Sequence, residues 1–241
     1  MKNILLFLTV LFLTLNIYSQ NYTVVKKELT DNSKKLNYEF TLTYPQIKSF
    51  NGNIGSVIMF NDFMKDKAYA VRDTFRVWMR DWDTISIVKD IQSYYEAGDS
   101  VFYAESDLIS IQFYEGFYFA GAAHPANSSF SINYNLKTGK EFTLNDLLTK
   151  GWETTISEIC IADIIKQKRD PAFEPDDWLK EGAGPKANNF KVFNLTNDHL
   201  LITFPTYQIE SYVAGPSEVE IPYSSIKSII DKSGLIGSFV R

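Results

Sequence analysis

A clean alternation of apolar and polar residues between Lys35 and Pro45 predicts a half-buried β-strand. Its apolar face would carry Leu36, Tyr38, Phe40, Leu42 and Tyr44. The segment Asn21 to Leu29 reads as an antiparallel partner, and the polar residues Thr30 to Ser33 read as the turn between the two strands. The chain is therefore expected to begin its fold with a β-hairpin.

The apolar period then lengthens to three or four residues, which predicts a long amphipathic helix with Asn53 as its cap and an end near Trp82. The polar residues near Phe60 to Asp62 suggest a break in that helix. The apolar positions are Ile54, Ile58, Phe63, Met64, Ala68, Val71, Phe75 and Trp78.

Strands are predicted again from Ser86 to Phe119, interrupted at Ala97 to Asp99, and from Ser128 to Leu136. Thr143 is expected to cap a helix that continues, with a break at Gly151, to about Lys168. The remaining predicted elements are a surface excursion at Asp170–Asn189 with one helical turn at Asp176–Lys180, strands at Phe190–Leu195, Leu200–Pro205 and Val219–Ile221, and a short helix at Ser224–Asp231.

Strands and helices come in blocks and not in strict alternation, which indicates the α+β class with a mostly antiparallel sheet. We expect a long helix in an N-terminal lobe, residues 20–107, and helices packed on the sheet of a C-terminal lobe, residues 108–241.

The first 19 residues have the three-part pattern of a cleavable secretory signal, with Lys2, an apolar run from Ile4 to Leu15, and the small residue Ser19 at the cleavage point. The run would span only about 18 Å, short of the roughly 30 Å of a bilayer core. No cysteine lies near the cleavage point to carry a lipid. We therefore expect an exported protein, periplasmic or extracellular, that is not a lipoprotein and has no membrane span once the signal is removed.

Without Lys2, 23 basic and 29 acidic residues remain, and no run of Lys or Arg is long enough to follow a phosphate backbone. The mature chain is acidic, so nucleic acid is not an expected partner.

Cys160 is the only cysteine, so no internal disulfide can form. It lies at helical spacing among isoleucines, which indicates a buried structural thiol. The two histidines are His199, interpreted as an ordinary surface residue, and His124, in the loop AGAAHP at residues 120–125. For His124 three roles stay open: a hydrogen bond that holds a turn, a ligand contact, and a metal or catalytic role.

Signals of catalysis are weak in this chain. There is no HExxH pairing for zinc and no GxSxG nucleophile turn, and the carboxylates at Asp81 and Asp83 and at Glu174 to Asp177 lack calcium-loop spacing. We expect no metal and no cofactor.

Aromatic residues are unusually dense from Tyr94 to Phe119. Most buried aromatic residues build core, but a strand that carries them on both faces must present some to solvent or to a partner. Both outcomes are possible from the sequence alone.

A resemblance to an exported domain family covers most of residues 35–230. The segments FYFAGAAHPANSSFSINYNLKTGKEFTLNDLL and FPTYQIESYVAGPSEVEIPYSSI resemble the C-terminal domain of RsiV-type anti-sigma factors, which also accompanies PdaC-type peptidoglycan deacetylases. TYPQI and FNDFM resemble its companion N-terminal domain. Two positions depart from the family pattern, Ala122 and Thr206. The deacetylase module and its aspartate-rich motif are absent from this sequence.

The resemblance implies a noncatalytic binding or sensing module that recognises cell-wall glycan, such as a peptidoglycan fragment, or a wall-acting protein such as lysozyme. The alternatives are an enzyme, deacetylase-like, that acts on wall polysaccharide with His124 and nearby carboxylates, and a structural envelope protein. The expected contact surface is the turn Pro205 to Tyr212 beside the AGAAHP loop. Its candidate binding residues are Gly121, His124, Pro205, Tyr207, Tyr212 and Gly215.

Overall fold

The protein is seen in a computed structural model that describes residues 22–50, 54–85, 88, 90–168 and 175–240. The predicted signal segment lies outside these residues and stays a prediction. No helix in the described ranges is long and apolar enough to cross a membrane.

A six-stranded sheet follows the order of the chain and is antiparallel except between its second and third strands. Those two strands run parallel because a long helix connects them, as parallel neighbours require. The elements are β1 (Tyr22–Ser33), β2 (Tyr38–Phe50), α1 (Ile54–Ile85), β3 (Ser93–Glu105), β4 (Leu108–Tyr118), β5 (Ala126–Asn135) and β6 (Lys140–Glu141). The α+β class with a mostly antiparallel sheet is confirmed.

The hairpin of β1 and β2 turns later than predicted, because β1 continues through Ser33 and the turn lies at residues 34–37. Asp31 looked like a turn residue, but it faces α1 and accepts two hydrogen bonds of 2.7 Å from the Arg76 guanidinium. Asp31 is therefore a polar residue that binds Arg76 of α1, and it does not form the turn.

Helix α1 is continuous, so the break predicted near Phe60 is wrong. Phe60 is fully buried, and its ring lies 5.3 Å from that of Tyr134. The Asn61 amide bonds both backbone groups of Ile47 in β2, at 2.8 and 2.9 Å. Asn61 thus fixes the first half of α1 against β2.

Strand β3 also runs without the interruption predicted at residues 97–99. Gly98 pairs in register with Tyr114 of β4. The turn of this hairpin is at Ser106 and Asp107, both with positive φ. Since strands on either side of residue 107 belong to one sheet, the division into two lobes stays a prediction.

The second half of the chain adds a three-stranded antiparallel sheet and two helices. Its elements are α2 (Trp152–Lys168), α3 (Asp177–Gly182), β7 (Phe193–Leu195), β8 (His199–Phe204) and β9 (Ser217–Pro222). The predicted Thr143 cap precedes only a 3-10 turn at Leu144–Asp146, and Asp146 accepts from the Thr143 amide at 2.8 Å. The helix predicted at Ser224–Asp231 is reduced to a 3-10 turn at Tyr223–Ser225.

Two apolar clusters form the core. One packs α1 on β2 to β5, and the other packs α2 and the 3-10 turns on the small sheet. The small sheet lies on the face of the large sheet opposite α1, where Ser110 of β4 accepts hydrogen bonds from the Asn194 side chain at 3.0 Å and from the Leu195 amide at 2.9 Å. This packing leaves the β2 to β5 face uncovered beside the small sheet.

Candidate functional site

Three aromatic rings from two distant segments meet at the surface. His124, in the connection between β4 and β5, lies with its ring centre 4.5 Å from that of Tyr212, in the connection between β8 and β9. Tyr207 of the same β8–β9 connection lies 5.5 Å from Tyr212, and its side chain is 51% exposed. The fold thus brings the two predicted segments together, and we call these three residues the aromatic cluster.

Hydrogen bonds hold the two connections against each other. The Tyr212 hydroxyl donates to the Pro125 carbonyl at 2.9 Å, and it accepts from the Asn127 amide at 3.3 Å. The Thr206 hydroxyl donates to the Asn127 side-chain oxygen at 2.6 Å. Thr206 therefore contributes directly to the contact between the connections.

Hydrogen bonds with α3 also hold the β8–β9 connection in place. The Trp178 indole of α3 donates to the Tyr207 carbonyl at 3.0 Å, and the side-chain amide of Gln208 donates to the Gly182 carbonyl at 2.9 Å. Tyr207 adopts a φ of 72°, a conformation that non-glycine residues rarely take. These bonds hold Tyr207 in a conformation that directs its ring outward, which is the kind of local strain often found at functional surfaces.

The other predicted residues have supporting positions. Gly121 (φ 92°) places its amide 3.3 Å from the Tyr118 hydroxyl, and Pro205 accepts the turn hydrogen bond from the Gln208 amide at 2.9 Å. Gly215 has a φ of 75° and leads into Pro216. None of these three shares a ring contact with the aromatic cluster.

A groove of about 700 Å³ adjoins the aromatic cluster on the uncovered face of the large sheet. Gly98 of β3 and Gly116 of β4 form part of its floor, and at these two positions no side chain rises from the sheet. A Cβ added at Gly98 would meet no atom within 4 Å. Glycine inside a strand weakens the strand and often marks the close approach of a ligand.

Tyrosines and polar groups surround this floor. Tyr94 and Tyr114 lie on the same sheet face as Gly98, and Tyr114 is 41% exposed. The far side is formed by Thr206 and Pro216 of the β8–β9 connection, which also carries Tyr207 and Tyr212 of the aromatic cluster. Amide and hydroxyl groups come from Thr41, Asn127, Ser128, Ser129 and Thr206.

The groove is acidic. Its described lining includes Glu96 and Glu115 but no Lys, Arg or His; the Glu96 side chain is on the same face as Gly98, whereas that of Glu115 is on the α1 face with Phe113. The Tyr95 hydroxyl donates to Glu115 at 2.5 Å, which engages that carboxylate, whereas Glu96 is exposed. Burial and the nearby Glu218 carboxylate raise the pKa of Tyr114, so its hydroxyl stays neutral.

Of the histidines and the cysteine singled out in the sequence, only His124 belongs to the aromatic cluster, and none lines the groove. His124 directs Nδ1 at the Pro125 carbonyl, 2.7 Å away, and the described residues contain no group of three His, Cys, Asp or Glu side chains that could hold a metal. His199 begins β8 and pairs with the Asp198 carboxylate at 2.7 Å. Cys160 is buried in α2, as predicted, and burial raises the pKa of its thiol.

The groove itself was missed in the sequence. Its signal was present at Tyr94, Glu96 and Gly98, which alternate on one strand face, but Gly98 was interpreted as a strand break. Three aromatic residues of the dense segment are buried, Tyr95, Tyr103 and Phe113, whereas Tyr114 is exposed in the groove. Both interpretations of the aromatic segment therefore hold, each for part of it.

Comparison with known proteins places this architecture among related domains. Over 213 residues, 86% of this chain, the sequence is 25% identical to the peptidoglycan-N-acetylmuramic acid deacetylase PdaC of Bacillus subtilis (strain 168). The match covers 44% of that protein, so this chain spans less than half of its length.

Two solved structures share the fold. A DUF3298 family member from Bacteroides fragilis superposes with a TM-score of 0.70 over 90% of this chain and 97% of its own, at 14% identity. A DUF3298 family protein from Pseudomonas aeruginosa PAO1 gives a TM-score of 0.57 over 88% and 97%, also at 14% identity. Residues 145–224 match the family described as "Protein of unknown function (DUF3298)". The matched segment spans α2, α3 and the small sheet, and it includes Thr206, Tyr207 and Tyr212 of the site.

Proposed function

We propose that this protein is a noncatalytic binding module of the cell envelope that holds a cell-wall glycan in the groove and against the aromatic cluster. The observation that carries the proposal is the groove floor, where Gly98 and Gly116 leave backbone open between Tyr94 and Tyr114. Tyrosine rings offer flat apolar contact area with a polar tip, and amide and hydroxyl groups beside them can bond sugar hydroxyls.

Two further facts support a wall ligand. The relative PdaC is named for action on peptidoglycan, and this chain matches a part of that protein. A domain that accompanies such an enzyme would serve it by holding the polymer. Exposed tyrosine near the centre of a contact surface is also a common source of binding energy.

The test is calorimetric titration with soluble muropeptides released from peptidoglycan by a muramidase. Wild type is expected to bind, and Gly98→Val is expected to abolish binding because its side chain fills the floor. Tyr114→Ala should weaken binding by about tenfold, the scale of one lost aromatic anchor of about 1.4 kcal/mol.

Matched controls separate binding from folding. Ser100→Val introduces the same side chain on the same strand outside the described groove lining, and Tyr69→Ala removes an exposed tyrosine from α1. Both should bind like wild type. If wild type shows no heat of binding, or if Gly98→Val binds normally, the proposal is wrong.

A wall-acting protein such as lysozyme is the second candidate, and one observation favours it. Val213 is 93% exposed and lies beside Tyr212, so the β8–β9 connection presents an apolar tip as well as rings. The chain is acidic, and hen lysozyme is a basic probe that such a surface would attract. Binding of lysozyme that is lost in Val213→Asp but kept in Gly98→Val would favour this candidate over the glycan. Release of acetate from muropeptides by wild type would instead favour the enzyme hypothesis.

A further inference from the structure

We infer that the groove selects glycan with free amines, that is, de-N-acetylated amino sugar, over fully N-acetylated glycan. This inference rests on the proposed function and names the chemical class of its ligand. It follows from the charge and the ring chemistry of the groove floor, which go beyond a general fit to sugar.

The exposed carboxylates lie next to the tyrosines. Glu96 is on the same face of β3 as Tyr94 and Gly98, two residues from each. Glu39 of β2 pairs in register with Tyr94 and is exposed. Glu218 of β9 is exposed beside Tyr114. Each tyrosine of the groove thus has at least one carboxylate nearby.

Lys26 does not offset these carboxylates. Its ammonium donates to the Asp99 carbonyl at 2.5 Å and lies 3.8 Å from the Asp99 carboxylate. Its charge is therefore already matched by a carboxylate. Lys26 is not in the described lining, which contains no Lys, Arg or His, so a ligand amine would meet negative charge without competition from a lining cation.

An ammonium group suits this arrangement in two ways. It is attracted to the face of a tyrosine ring and to a nearby carboxylate, and both attractions strengthen in a partly dehydrated groove. An N-acetyl group carries no charge and gains neither attraction. The lactyl and peptide carboxylates of the wall polymer would be repelled, so we expect one of its glucosamine units, which carry neither group, to occupy the floor.

The experiment compares N-acetylglucosamine tetramer with glucosamine tetramer by calorimetric titration at about pH 6 and about 50 mM salt, where the amines are protonated and screening is weak. We expect glucosamine tetramer to bind at least about tenfold more tightly, and the difference to shrink at about 200 mM salt. Glu96→Gln should reduce the preference for the glucosamine tetramer by at least about threefold.

Glu158→Gln is the matched control, because it changes the net charge equally at an exposed position of α2. If Glu158→Gln lowers the preference as much as Glu96→Gln does, the effect is general attraction of an acidic protein for a cation and the inference fails. Equal binding of both tetramers, or tighter binding of the N-acetylated one, also overturns it while the proposed function stands. If neither tetramer nor muropeptide binds, the proposed function fails as well.

Discussion

At the scale of single residues, two glycines have opposite structural roles. Gly98 is open toward the groove, whereas a Cβ at Gly182 would lie 2.0 Å from the Gln208 carbonyl oxygen. Gly182 therefore allows α3 to approach the connection that carries Tyr207. Nothing in the sequence around either glycine distinguishes these roles, because both depend on distant neighbours.

Gly182→Ala is expected to lower the unfolding free energy by at least about 2 kcal/mol, since backbone atoms must move to admit the methyl group. Thermal unfolding monitored by circular dichroism measures this loss. Gly98→Ala is the control and should leave the melting temperature unchanged or raise it, because alanine suits a strand better than glycine. An unaffected Gly182→Ala variant would contradict the close approach.

The thiol of Cys160 should be inert in the native protein. It is fully buried in α2, and burial raises its pKa, so the reactive thiolate is scarce. We expect no reaction with Ellman's reagent under native conditions and one thiol per chain after unfolding in guanidinium chloride. Rapid native labelling would contradict the packing of α2 on the small sheet.

At the scale of elements, α1 is held on the sheet by specific polar contacts as well as by its apolar face. The Arg76 guanidinium bonds both oxygens of Asp31 in β1, and the Tyr38 hydroxyl donates to the same carboxylate at 2.6 Å. The Arg76 hydrogen bonds are the main reason that the pKa of Asp31 is lowered. The contact therefore ties three elements together at a partly buried position.

This contact makes stability depend on pH. A carboxyl whose pKa is lower in the folded state stabilises the fold above its unfolded pKa of about 3.9, and the benefit is lost as pH falls through the lower folded pKa. Asp31→Asn should therefore reduce the unfolding free energy by about 1–2 kcal/mol at pH 7 and by much less near pH 2 to 3. Urea unfolding of both proteins across that range is the measurement. A difference that is constant with pH would show that the lost contact is not ionic.

At the scale of the whole molecule, the two sheets meet through a buried polar layer. Asn194 is fully buried and donates to Ser110 of the large sheet, while the Asn133 amide donates to the Phe193 carbonyl of the small sheet at 2.9 Å. Buried polar groups are costly without partners, so these bonds favour one relative position of the sheets. The groove lies between a sheet face and a connection of the other sheet, and its shape depends on that position.

We predict that the two halves unfold as one cooperative unit. The four tryptophans divide between α1, with Trp78 and Trp82, and the second half, with Trp152 and Trp178. Variants that keep only one pair, with phenylalanine at the other two positions, should give coincident fluorescence transitions in urea. Separate midpoints would instead support two independent lobes divided near residue 107.

Local pattern was enough to predict much of the fold, because burial on one face imposes a period of two on strands and of about 3.6 on helices. The strand around Phe40, the helix through Met64 and Phe75, and the buried position of Cys160 are all confirmed. Errors arose where a polar or glycine residue pairs with an element far along the chain: Asp31 with α1, Asn61 with β2 and Gly98 with β4. In those positions local chemistry predicts a turn or a break that tertiary contacts override.

The sequence by itself determined most of the elements, the acidic charge and the two segments around His124 and Tyr207 that were expected to lie close together. Tertiary structure alone decided the groove, because its floor and walls come from β3, β4 and β5 and its far side from the β8–β9 connection. Cross-strand register places Tyr114 beside Gly98, and sheet packing sets Thr206 against Asn127. Neither relation can be read from residues near in the chain, since each is set by contacts between elements far apart in it.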